Sequence, residues 1–170
     1  MTELKEYIRK SVEAGLQNQE ASRQARINFY KEKVEELYRL VNENLLADLH
    51  EEGLFHVSYE DEDIVEEGLG RYNTRSMLIK MGALNVELRP YGTVVIGARG
   101  RVDMWVNNNE ESAMLILVPA NADSPQKPID GVGQEWVWKM VERKVSRVTY
   151  LPLASDMFQK KILSLASLYV

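Results

Sequence analysis

The residues of this chain that could do chemistry fall into four groups. The first is Arg101, Asp103 and Trp105 in RVDMWV. Alternate residues of a strand share one face, so an arginine, a carboxylate and an indole would stand together and could recognise a small ligand. The same two charges would equally form an ordinary same-strand ion pair beside an apolar face. The second group is Asp130 in PID with Glu142 and Lys144 in ERK. Carboxylates in that order can hold Mg²⁺ while the lysine orients an attacking water, which is the equipment of a metal-dependent hydrolase or nuclease. Asp103 could stand in for Asp130. The setting is poor, because Asp130 lies in the Pro/Gly-rich run PANADSPQKPIDGVG and ERKVS reads as the turn that follows EWVWKMV.

His50 and His56, the only histidines, form the third group. A spacing of six suits neither one helix face nor the HExxH arrangement. A zinc site would need the chain to fold back and recruit Glu51 or Glu60, so capping or surface roles are the expectation and no metal site is assigned. The fourth group is the run Glu60, Asp61, Glu62, Asp63, Glu66 and Glu67. It lacks the spaced oxygens, the turn glycine and the terminal bidentate glutamate of a calcium loop, and it reads as solvated charge. No GxSxG accompanies the histidines, and Gly92, Gly97 and Gly100 do not form a strand–GxGxxG–helix unit, so neither an activated serine nor a dinucleotide site is argued. With no cysteine in the chain, disulfides, thiolate metal sites and cysteine nucleophiles are excluded. No cofactor is expected.

The elements that would position these residues follow from patterning. The chain has 170 residues, 45% apolar and 28% charged, which is the globular range. Its net charge of −5 is uneven: residues 1–50 carry −1, 51–75 carry −6 and 76–170 carry +2. A dominant nucleic-acid binder would more often carry a basic stripe. The first residues, MTELKEYIRKSVEAG, lack the apolar core of a signal peptide, and the longest apolar run, AMLILV, is far short of a membrane span. The expectation is a cytoplasmic protein with no membrane contact.

From Glu3 to His50 there is no proline and one glycine, Gly15. Leu4, Ile8 and Val12 recur every four residues and suggest a first helix, and QNQEASRQAR is either solvated helix or a joint. Ile27, Tyr30, Val34, Leu37, Val41, Leu45 and Leu49 then define an amphipathic helix over about 24–50. Its stripe leaves heptad register after Val41, which argues against a long coiled coil. LFHVSY reads as a short strand and EDEDIVEEGLG as an acidic loop. From residue 76 the period changes to two, and SMLIKM, ALNVELR, TVVIGA, RVDMWV, AMLILV, EWVWKMV and RVTYL read as strands. Most of their connections are too short for parallel crossovers, so an antiparallel meander of about six or seven strands is predicted. In it TVVIGA and RVDMWV form a hairpin turning at Arg99 and Gly100. A closing helix follows, with Asp156 and Gln159 as a capping box and Phe158, Ile162, Leu165 and Tyr169 on one face. The class is α+β: a helical region over 1–52, and over 53–170 an antiparallel sheet with a C-terminal helix packed on it.

Within EWVWKM, Trp136, Trp138 and Met140 should share the sheet's inner face. Trp105, beside charges, is the better candidate for binding. The leading functional reading is non-catalytic: a protein partner, in the first instance a second copy of the chain joined through the helix at about 24–50. The less apolar first helix is a further candidate arm. The alternatives are the metal-dependent hydrolase or nuclease, and a small-ligand or single-stranded nucleic-acid binder using Trp105 as a stacking surface.

Overall fold

A computed structural model describes residues 2–93, 95, 97–125 and 134–166. The fold is α+β: one long helix, a seven-stranded antiparallel sheet and a closing helix. Helix α1 runs unbroken over Thr2–Leu40, so QNQEASRQAR is solvated helix and not a joint. A π-helical turn follows at Val41–Leu45, then a short helix α2 at Ala47–Glu51. The π turn sits where the apolar stripe leaves heptad register. Its wider winding, closed by Leu46 N–H donating to Val41 O at 3.0 Å, lets Val41, Leu45 and Leu46 all be buried. One extra residue per turn absorbs a spacing that a regular helix would rotate out of the core.

The strands are β1 (His56–Glu66), β2 (Gly70–Met81), β3 (Leu84–Gly92), β4 (Arg101–Val106), β5 (Ser112–Pro119), β6 (Trp136–Lys144) and β7 (Arg147–Pro152). They lie in sequence order from β1 to β7, each antiparallel to the next. Helix α3 covers Ser155–Leu165. No helix among the described residues is long and apolar enough to cross a membrane.

Three expectations about local structure are corrected. The stretch EDEDIVE is strand, the distal half of β1, and not an acidic loop. Two of its carboxylates are met across the hairpin: Ser76 donates to Glu62 at 2.8 Å and Asn73 to Asp63 at 3.2 Å. TVVIGA forms no hairpin with RVDMWV, because β3 and β5 occupy the two sides of β4. Residues 93–100 are instead a connection whose described part holds one isolated bridge, Val95 with Ala98. Glu142, Arg143 and Lys144 belong to β6, and the reversal is confined to Val145 and Ser146, since Lys144 pairs with Arg147.

One face of the sheet carries Met77, Ile79, Val86, Leu88, Val102, Met104, Val106, Leu115, Leu117, Trp138 and Met140. It forms a single core with Ile27, Tyr30, Val34, Leu37, Tyr38 and Val41 of the helical region and Phe158, Ile162 and Leu165 of α3. The predicted closing helix therefore packs on the sheet as expected. Its predicted capping box does not form: Ala154 precedes the helix with no side-chain cap. Ser155 Oγ and Gln159 Nε2 instead donate to Leu45 O at 2.9 and 3.0 Å, fastening α3 to the π turn. Tyr169, Asp130, Val94 and Ile96 lie outside the described residues.

Two tyrosines eight apart on α1 join helix to sheet where the ladder is interrupted. The pairing of β3 with β4 shifts register between Pro90 and Gly92. There Tyr30 Oη donates to Arg101 O at 2.6 Å and accepts from Gly92 N–H at 3.1 Å. The ladder between β2 and β3 ends at Met77 and Leu88, and Tyr38 Oη donates to Arg75 O at 2.5 Å with Leu88 O 3.3 Å away. Backbone groups that lose a strand partner in a buried place need another, and the helix supplies it.

Candidate functional site

On the face of the sheet opposite α1, β3 and β4 set side by side Glu87, Arg89, Arg101, Asp103 and Trp105. In register, Asp103 is opposite Arg89, and Trp105 is opposite Glu87. Each arginine grips a carboxylate of its own strand. Arg101 Nε and Nη2 donate to Asp103 at 2.8 and 3.1 Å, and Arg89 donates twice to Glu87 at 3.0 Å. The Arg101 guanidinium also stacks 4.0 Å from the ring of Tyr91. Asp103 is buried and Trp105 is half-buried. The arrangement is a charge lattice whose acids and bases satisfy one another. Its carboxylates are held as acceptors by guanidinium, which suits neither a general base nor a metal ligand.

The rest of this face is covered in part. Ile116, Val118, Ala122 and Tyr150 form a second, smaller core. Lys139, buried on this face, donates to Ala120 O at 2.9 Å and Ala122 O at 2.7 Å, so the charged member of EWVWKM holds a loop. Its neighbour Trp138 lies on the inner face and donates its indole N–H to Lys33 O of α1 at 2.7 Å.

The hydrolytic residues are not brought together within what is described. Glu142 and Lys144 pair with each other at 3.3 Å, and Asp130 is outside the described residues. Among the described residues no group of three or more histidines and carboxylates could hold a metal ion. His50 lies exposed in α2, its ring 5.8 Å from that of Phe55, and His56 is exposed at the start of β1.

The helix stripe from Ile27 to Leu45, read from sequence as an oligomer surface, is buried within the single chain. The preceding half of α1 is different. Residues 2–22 are exposed throughout, and Arg23 donates Nη1 to Leu69 O of the β1–β2 turn. Leu4, Tyr7, Ile8, Val12 and Leu16 stand 52–70% exposed along this arm.

A further grouping was missed from sequence. Where the arm joins the body, a cleft of about 450 Å³ is lined by Ala25, Arg26, Phe29, Thr93, Ala98 and Arg99. The Arg99 guanidinium lies 4.4 Å from the ring of Trp136 and 5.7 Å from that of Phe29. The hairpin expected from sequence puts Arg99 at its turn, whereas in the structure β4 pairs with β3 and β5 and Arg99 lies over Trp136. No sequence signal linked residues 29, 99 and 136.

Compared with protein-family models, with curated proteins and with solved structures, the chain matches none.

Proposed function

We propose that this protein acts non-catalytically, as an association module whose projecting N-terminal arm pairs with the arm of a second copy. The observation that carries the reading is the exposure of Leu4, Tyr7, Ile8, Val12 and Leu16 on residues 2–22 of α1. A helical segment of this kind gains most of its stability by burying an apolar face, and among the described residues nothing covers this one. Leu4, Ile8, Val12 and Leu16 form a row with spacing four. Rows of that type interdigitate with one another at a crossing of about −50°, so the ridge is complementary to a copy of itself. The arm carries four acidic and three basic residues, and this near balance leaves little repulsion between copies. The association expected of the 24–50 helix thus moves to its N-terminal extension, because the stripe from Ile27 to Leu45 is already used.

Sedimentation equilibrium of the full chain and of the Ile8→Glu/Val12→Glu variant tests this. Wild type should exceed monomer mass at micromolar concentration, and the variant should be a monomer with an unchanged circular dichroism spectrum. A monomeric wild type, or an oligomer that survives both charges, would sink the reading.

A further inference from the structure

We infer that the cleft lined by Arg26 and Phe29 of α1 and by Thr93, Ala98 and Arg99 binds the phosphate group of a small phosphate ester, gripped by Arg99 and Arg26. The argument begins with charge. Arg26 and Arg99, which share this cleft, form no ion pair among the described residues. The same is true of Arg9, Arg39, Arg143 and Arg147, none of which lines this cleft. Glu66, beside the cleft, is held through Thr93, which donates both N–H and Oγ1 to it at 2.8 and 3.0 Å, and through the Tyr72 hydroxyl, which also donates to it. Lys33, at the far side of Phe29, is paired with Glu36 at 3.0 Å.

Orientation comes next. The Arg99 guanidinium lies over the Trp136 ring with no hydrogen bond from its N–H groups to another described residue, and those donors form a fork that matches two oxygens of a phosphate. The Arg99 backbone is fixed as well. Its N–H donates to Leu117 O at 2.8 Å, and Leu117 N–H donates to Gly100 O at 2.9 Å. Gly100 presses on the ring of Tyr30 so closely that no side chain fits there. The fork is therefore positioned before any ligand arrives, which reduces the ordering cost of binding. Across the cleft, Arg26 Nη2 reaches Thr93 Oγ1 at 3.5 Å, so the second cation is also steered inward. Phe29 and Ala98 supply apolar wall for an organic body, and the volume falls within the range of small-molecule sites.

The test is thermal unfolding of the full chain in sodium phosphate against sodium chloride at matched ionic strength, with phenyl phosphate titrated separately. Phosphate should raise the melting temperature in a concentration-dependent way, and phenyl phosphate should do so at lower concentration by using the aromatic wall. Arg99→Gln should abolish the response and Arg26→Gln should weaken binding at least tenfold. Trp136→Phe should weaken it several-fold, and Arg143→Gln, on the remote end of β6, should leave it unchanged. Arg99→Lys keeps the charge without the fork, so wild-type binding by that variant would overturn the inference. An equal response to chloride, or a response that persists in both glutamine variants, would overturn it too. So would binding of a single-stranded oligonucleotide with none of phenyl phosphate, which would make the surface a polyanion contact.

Discussion

Gly100 lies against the ring of Tyr30 so closely that a β-carbon at position 100 would stand 2.7 Å from Cδ1 and Cε1. No side chain can occupy that space without moving the ring, and the ring's hydroxyl is already tied to Arg101 O and Gly92 N–H. Gly100→Ala is therefore expected to destabilise the fold by about 1–3 kcal/mol through overpacking. Urea unfolding should show a lower midpoint with an unchanged m-value, and an unchanged midpoint would mean the ring yields at no cost.

Burial pushes the hydroxyls of Tyr30 and Tyr38 well above the ordinary tyrosine range. The folded state thus keeps protons that the unfolded chain gives up near pH 10. The stability linked to these protons is complete below that pH and is lost as pH rises above it. Each tyrosine should contribute a decline of about 1.4 kcal/mol per pH unit in that window. Tyr38→Phe should lower stability at pH 8 while making the alkaline decline shallower. Parallel urea curves for wild type and variant between pH 8 and 10.5 check the sign, and identical slopes would refute it.

The tryptophans should separate by face. Trp138→Ala removes a buried ring and its bond to Lys33 O, a loss of about 3–5 kcal/mol. Trp105→Ala, on the face that no described helix covers, should cost roughly 1 kcal/mol or less. Denaturation midpoints of the two variants make the comparison, and similar losses would contradict the assignment of faces.

Arg101 and Asp103 form a bidentate pair at the margin of solvent. A double-mutant cycle with Arg101→Met and Asp103→Asn should give a coupling of about 1 kcal/mol, the range of partly exposed pairs. A coupling several times larger would indicate that the lattice with Arg89 and Glu87 acts as one unit.

The parts of this fold that could be read from sequence are those in which one period governs a whole element. The stripe from Ile27 to Leu45 describes a segment with one buried face, and the alternation in EWVWKM places Trp138 and Met140 in the main core; the structure buries both, and buries Lys139 on the opposite face as well. The misread segments are those where local composition and tertiary position disagree. TVVIGA has strand composition, but β3 and β5 had already taken both sides of β4. EDEDIVE gives the core only Ile64 because it lies at the rim of the sheet, where pairing on one side and side-chain partners on β2 suffice. The Arg101–Asp103 contact followed from strand geometry alone. The stacking of Arg99 on Trp136 depends on the course of residues 93–100, which no local pattern encodes.

The sheet is open, so β1 and β7 each have one side without a strand partner, and on β7 the Tyr150 N–H is taken by Asp123 O at 2.9 Å. Such rims are templates on which foreign strands can grow into fibrils. The rim of β1 carries Glu60, Asp61, Glu62 and Asp63 in succession, and the rim of β7 is six residues long and ends in Pro152. A second copy approaching along β1 would bring four more carboxylates into register with the first four, and one approaching along β7 would find too little ladder to hold. The acidity expected of a loop thus lies along a sheet edge, where it disfavours pairing with a second copy. Like charges brought together in this way oppose strand-by-strand pairing of one copy with another along β1.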